Sequence, residues 1–200
     1  MIVIVNAVRT AMGGFQGSLS GCSAPDLGAV AIQEVVARAG LKPTDIDEVI
    51  FGCVLPAGLK QGPARQAMRQ AGLPDSTGAT TINKICGSGM KAVMQAADAI
   101  KAASAQIVVA GGMESMSNAP YLLEKARTGY RMGHGRIIDH MFQEGLEDAE
   151  TGLSMGILAQ DMADQKGYTR KQQDAFAIHS LNKAVTAIQS GYFKAELAPV

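Results

Sequence analysis

Residues 78–112 read GATTINKICGSGMKAVMQAADAIKAASAQIVVAGG. β-branched and small residues over 78–85 predict a strand, and the apolar run over 105–112 predicts another. Between them, Lys91, Gln95 and Asp98 recur at helical spacing as a polar stripe. Met90, Val93, Met94, Ala96, Ala97 and Ile100 fill the rest of a helix over 88–103, so most of its circumference is expected to be buried. Strand, helix and strand in this order predict a parallel βαβ unit, with helices covering both faces of the sheet.

The flanking chain extends the pattern. MIVIVNA at the start is a continuous apolar run, expected to be a strand covered on both faces. Residues 25–39 carry apolar positions at helical spacing and are followed by Gly40, where a helix would stop. EVIFGCVL (48–55) reads as a strand, and GPARQAMRQAG (62–72) as a short helix with Pro63 near its start. The fold class is α/β. After Pro120 the character changes, and residues 121–150 show no clear period. A helix follows over 153–166, and another begins behind Thr169, where Gln172 completes a capping box. The expected division is an α/β domain over 1–117 and a second, mostly helical part over 118–200.

Composition excludes several functions. The 200 residues carry 18 basic and 18 acidic side chains, which leaves no electrostatic case for nucleic acid or an anionic membrane. Tryptophan is absent and aromatic residues make up 4%, so base-stacking platforms are not expected. No apolar run is long enough to span a bilayer, and the first residues do not read as a signal peptide. Three cysteines, Cys22, Cys53 and Cys86, form no CxxC pair, so a disulfide framework or zinc site is not expected. A reducing, cytoplasmic setting fits.

Cys86 is the residue with chemical promise. It falls at the start of the central helix, where free N–H groups and the positive dipole end favour a thiolate, and glycines leave room for a ligand. A helix terminus supplies only about 0.3–1 kcal/mol at an exposed site, so an efficient nucleophile also needs a base. His134, His140 and His179 form no partner motif and read as loop or helix-surface residues. On these grounds alone Cys86 is equally well a small buried residue at a tight turn. Cys22 and Cys53 read as non-catalytic.

NKICGSGMKAV (83–93), VVAGGMESMSNAPY (108–121), VRTAMGGFQGSLS (8–20), RMGHGRIIDHMFQEGLEDAETGLSMG (131–156) and TRKQQDAFAIHS (169–180) resemble segments of the thiolases, and within them the acetyl-CoA acetyltransferase branch. The resemblance implies a thiolase-like N-terminal βαβαβ half followed by an incomplete, mainly helical loop domain, with no C-terminal repeat. It implies that Cys86 is acylated by an acyl-CoA, and that a second acetyl-CoA, deprotonated at its methyl group, condenses with the acyl group. Thiolysis by coenzyme A is the reverse. Met132, Leu146 and Met155 match positions that line the acyl or pantetheine pocket. Each is also readable as a gap-filling core residue. No cofactor is implied beyond coenzyme A thioesters as substrates, and the family assembles as dimers or tetramers.

Two features depart from the family. Thiolases are about twice as long, and their second half carries the histidine that activates the nucleophile and a second cysteine that acts as acid and base. This chain is therefore expected to be an N-terminal half, inactive alone. Acetoacetyl-specific members have His-Met-Gly where this chain has Ser154-Met155-Gly156. The smaller Ser154 leaves open a 3-ketoacyl-CoA thiolase acting on longer chains. A carrier-protein condensing enzyme and a non-catalytic acyl-CoA or lipid-binding protein also compete with the acetyltransferase reading.

Overall fold

The computed structural model describes residues 1–200. The order of elements is β1 (Arg9–Thr10), α1 (Ala24–Arg38), β2 (Glu48–Gly52), α2 (Pro63–Gln70), β3 (Gly78–Ile82), α3 (Ser88–Lys101), β4 (Val108–Gly112), β5 (Tyr121–Leu122), β6 (Ile138–Asp139), α4 (Met155–Gln165), α5 (Arg170–Gln189) and β7 (Leu197–Ala198). Two compact units result, one of residues 1–145 with 198–200, the other of residues 146–197.

In the first unit β2 is the central strand of a parallel sheet ordered β3-β2-β4. Glu48 of β2 is level with Gly78 of β3 and Val108 of β4, and Gly52 with Ile82 and Gly112. Alternate side chains of a strand point to opposite faces, and both faces here are covered. Val49, Phe51 and Cys53 enter the larger core with Ile32, Val36, Ala64, Ala67 and Met68 of α1 and α2. Ile50 enters a smaller core with Ala92 and Ala96 of α3. A strand buried on both sides must be apolar throughout, which explains the run VIF in β2.

Helix ends follow local chemistry. Ser23 and Asp26 form a capping box at the start of α1, the Ser23 N–H donating to Asp26 Oδ2 over 2.8 Å. Hydrogen bonds from the Ser23 hydroxyl and N–H hold the Asp26 carboxyl below its ordinary range. Gly40 takes φ +69° after α1, and the Leu41 N–H then donates to the Val36 carbonyl over 3.2 Å. Thr169 and Gln172 form the expected capping box of α5.

Several expectations need correction. The N-terminal run MIVIVNA is not a strand; Val3, Ile4 and Val5 are 65%, 79% and 67% exposed. A strand needs a hydrogen-bonding neighbour, and no strand of the sheet is paired with this run. Most of α3 is not buried. Only Ser88, Ala92 and Ala96 are, while Met90 is 75% exposed and Met94 54%. A helix lying on one sheet buries one seam, and here that seam is made of small residues. The two-residue antiparallel pair β5–β6 is too short to leave a periodic signal.

In the second unit neither α4 nor α5 has a buried residue. Met162, Phe176, Leu181 and Ile188 are all more than half exposed. No helix of the protein is long and apolar enough to cross a membrane.

Candidate active site

The site is built where β3 runs into α3. β3 ends at Ile82, short of the expected residue 85, because the chain turns there. Asn83 Oδ1 accepts the Ile85 N–H over 2.9 Å, and Asn83 Nδ2 donates to the Val54 carbonyl over 3.2 Å. Ile85 then takes φ +49°. That region suits glycine; for a β-branched residue it is a true outlier. Cys86 follows, exposed, and Gly87 is the N-cap of α3 without a side-chain bond.

Ser88 locks the turn from the helix side. Its Oγ donates to the Ile85 carbonyl over 2.6 Å and accepts the Lys84 N–H over 2.8 Å. The first backbone bond of α3 runs from the Lys91 N–H to the Gly87 carbonyl over 2.9 Å, so the Gly89 and Met90 N–H groups lie ahead of any intrahelical acceptor. These donors face the end of the helix that carries Cys86. The arrangement can receive the oxygen of a bound thioester.

Glycines on the sheet let α3 sit this low. A Cβ on Gly52 would lie 2.5 Å from the Ser88 Cβ and 2.9 Å from its carbonyl carbon. A Cβ on Gly112 would meet the Gly52 carbonyl oxygen at 3.4 Å and the Gly89 Cα at 3.6 Å.

Behind the turn, β2 stops at Gly52 although the apolar run continues to Leu55. The Val54 and Leu55 N–H groups leave the sheet and donate to the Glu114 carboxylate over 2.8 and 3.1 Å. The Cys53 thiol donates to the same carboxylate over 3.6 Å. Burial first, and the Glu114 charge second, push the Cys53 thiol up to about 12. The contrast with exposed Cys86 is testable. Iodoacetamide below pH 9 is expected to label Cys86 in the native protein and to leave Cys53 untouched until the protein unfolds. The folded-state value lies above the ordinary 9.0, so Cys53 contributes stability below pH 9 that is lost as the pH rises toward 12. A chemical-denaturation series across that range checks the direction, and a flat profile contradicts it.

The other candidate residues are distributed between the two units. Met132 lies in the first, in an exposed loop at 86% exposure. Leu146 and Met155 belong to the second, Leu146 half-buried and Met155 at the first position of α4, 42% exposed. A shallow depression of about 370 Å³ in the second unit is lined by His179, Asn182, Lys183, Thr186, Ala187 and Tyr192 of α5 and the turn after it; none of the candidate residues lines it. None of the three histidines bonds Cys86. His134 and His179 are exposed, as expected. His140 is not a solvated loop residue but 2% exposed, and neither ring nitrogen has a hydrogen-bond partner. Its Nδ1 lies 3.8 Å from the Glu144 carboxylate. The segment from β6 into the short π-helix Phe142–Leu146 folds the ring inward, which an aperiodic sequence could not announce.

Sequence reasoning passed over Asn83, Ser88, Gly52 and Glu114. The signals were present: an asparagine ahead of the thiol, and a carboxylate directly after the apolar strand and its methionine, VVAGGME.

The profile of the thiolase N-terminal domain matches residues 2–200. An acetyl-CoA acetyltransferase of Pseudomonas aeruginosa is 51% identical over 199 residues, covering 100% of this chain and 51% of the relative. One from Escherichia coli is 53% identical over 199 residues, covering 99% and 50%. Acetyl-CoA acetyltransferase IA of Candida tropicalis is 48% identical over 200 residues, covering 100% and 50%. The chain spans about half the length of these curated relatives, and by this match along its whole length it belongs to the thiolase family, as a mixed α/β protein built on that family's N-terminal domain.

Proposed function

We propose that this chain supplies the nucleophile for thiolase-type acyl transfer between coenzyme A thioesters. A base takes the Cys86 thiol proton and the thiolate attacks the thioester carbonyl of acetyl-CoA; the carbon–sulfur bond to coenzyme A breaks, the departing sulfur takes that proton so that coenzyme A leaves as its thiol, and S-acetyl-Cys86 forms. A second acetyl-CoA loses a methyl proton to a base, and its carbon attacks the acetyl-enzyme. The Cys86–acyl bond breaks, giving acetoacetyl-CoA and the free thiol. A thiol suits this exchange because the intermediate remains a thioester, close in energy to donor and acceptor. No cofactor enters the scheme. The observation that carries the reading is an exposed cysteine at the start of α3, held by a strained turn, in a chain that matches the thiolase N-terminal domain along its length.

The finer assignments belong to the same proposal. Residues 1–117 are the α/β domain that carries Cys86, and 118–200 a loop domain, whose helices α4 and α5 have no buried residue. Met132, Leu146 and Met155 line the acyl or pantetheine pocket. Turnover requires a complementary C-terminal half; the exposed apolar residues of α3, α4 and α5 support such a covering surface, as they do assembly into dimers or tetramers. All three cysteines are free, which supports a reducing, cytoplasmic setting.

The test is Cys86 alkylation in the full-length polypeptide. Acetyl-CoA is expected to block it, and turnover of acetoacetyl-CoA to exceed that of 3-ketohexanoyl-CoA. Alkylation indifferent to acetyl-CoA would favour the non-catalytic binding protein. Preference for the longer substrate would assign Ser154 to a wider pocket. Turnover by residues 1–200 alone would overturn the need for a second half.

A further inference from the structure

Resting on the reading of Cys86 as nucleophile, we infer that Asn83 and Glu114 are positioning residues for it, coupled through Val54 into one brace. Neither side chain bonds Cys86. Their effect passes through Ile85, whose φ of +49° is the strained element of the turn. Such a conformation persists only where the surroundings over-determine it.

Both peptide groups of Ile85 are held. Its N–H donates to Asn83 Oδ1 over 2.9 Å, and its carbonyl accepts from Ser88 Oγ over 2.6 Å and from the Ser88 N–H over 3.0 Å. Ser88 is anchored by α3, being 4% exposed and seated against Gly52. Asn83 is anchored differently. Its amide nitrogen donates to the Val54 carbonyl over 3.2 Å, and Val54 lies beyond the end of β2. What fixes Val54 is Glu114, through the Val54 and Leu55 N–H groups at 2.8 and 3.1 Å. Glu114 Oε2 takes the first of these and Oε1 the second, with the Cys53 thiol on Oε1 as well. Glutamine cannot substitute, because one of its two terminal atoms is a donor and would face an N–H. The line from Glu114 to Ile85 is therefore continuous: carboxylate, Val54 peptide, Asn83 amide, Ile85 N–H, then Cys86.

Coupling of this kind is reciprocal, which supplies the test. Amide hydrogen exchange is followed in the 200-residue chain, with the iodoacetamide rate at Cys86 and, as internal reference, at Cys22. A clamp confined to residues 53–55 predicts that E114Q speeds exchange at Val54 and Leu55 only. The brace predicts that E114Q also speeds Ile85, by about tenfold, and slows Cys86 alkylation several-fold while Cys22 is unchanged. N83A reads the line from the other end and is expected to speed Val54 and Leu55 as well as Ile85. The double variant is expected to exchange at Ile85 no faster than N83A alone, because links in series do not add. An unchanged Ile85 rate in E114Q, or an unchanged Cys86 rate despite faster Ile85 exchange, overturns the inference. If E114Q does not fold, N83A decides it: unchanged Val54 and Leu55 exchange is the overturning result. Failure of acetyl-CoA to protect Cys86 would sink the catalytic reading and leave the exchange coupling still measurable.

Discussion

Gly52→Val is expected to destabilise the protein by at least about 3 kcal/mol and to displace the cysteine turn, because the added atoms meet backbone rather than yielding side chains. Gly52 is the last residue of the central strand, flanked by β3 and β4 through Ile82 and Gly112. Its Cβ would stand 2.5 Å from the Ser88 Cβ, 2.9 Å from the Ser88 carbonyl carbon and 3.0 Å from the Gly89 nitrogen. Those atoms belong to the first turn of α3, so the helix start must rise off the sheet. Ser88 then loses its grip on Ile85 and Lys84, and the Ala92 and Ala96 seam opens. Thermal unfolding and Cys86 alkylation measure the two consequences. A variant as stable as the parent would show that α3 is not seated on Gly52.

Cys86→Ser is expected to have the largest effect on chemistry and almost none on stability. The thiol is free and exposed, so a hydroxyl there costs the fold little. A serine hydroxyl is far less ionised than a thiol at neutral pH, and neither a base nor a strong dipole is at hand in this chain to compensate. Acyl transfer in the full-length polypeptide is expected to fall by on the order of 10⁴-fold or more, with the melting temperature unchanged. The parallel change at Cys53 has the opposite signature. That side chain is 1% exposed within the larger core, so its replacement acts on stability.

Elements were legible in the sequence where local chemistry decides them. Gly40 closes α1, and Thr169 with Gln172 opens α5, each through bonds between near neighbours in the chain. β2 was legible because burial on two faces demands an unbroken apolar run. The same rule misled at MIVIV, where an equally apolar run has no partner strand, and at α3, whose apolar residues outnumber those the sheet can cover. Periodicity reports what a segment is able to bury, and the neighbours decide what it does bury.

The candidate site divides in the same way. Cys86 stood out because a thiol between a strand and a glycine-flanked helix suits a nucleophile and because its motif resembles the thiolases. Its supports did not stand out. The Val54–Asn83 and Val54–Glu114 bonds join residues 29 and 60 apart in sequence, and the strain at Ile85 is a backbone property that no residue preference announces. His140 was hidden for the same reason, since tertiary packing alone draws its ring inside.

Whether Cys86 carries the acyl group is decided by trapping it. The full-length polypeptide is mixed briefly with acetyl-CoA and quenched in acid, and the acetylated peptide is mapped by mass spectrometry. The expected result is one acetyl group per chain on the peptide containing Cys86, removed by added coenzyme A and absent from Cys86→Ser. Acetylation at another residue, or an acetyl group on Cys86 that coenzyme A cannot remove, would contradict a thiolase-type nucleophile at this position.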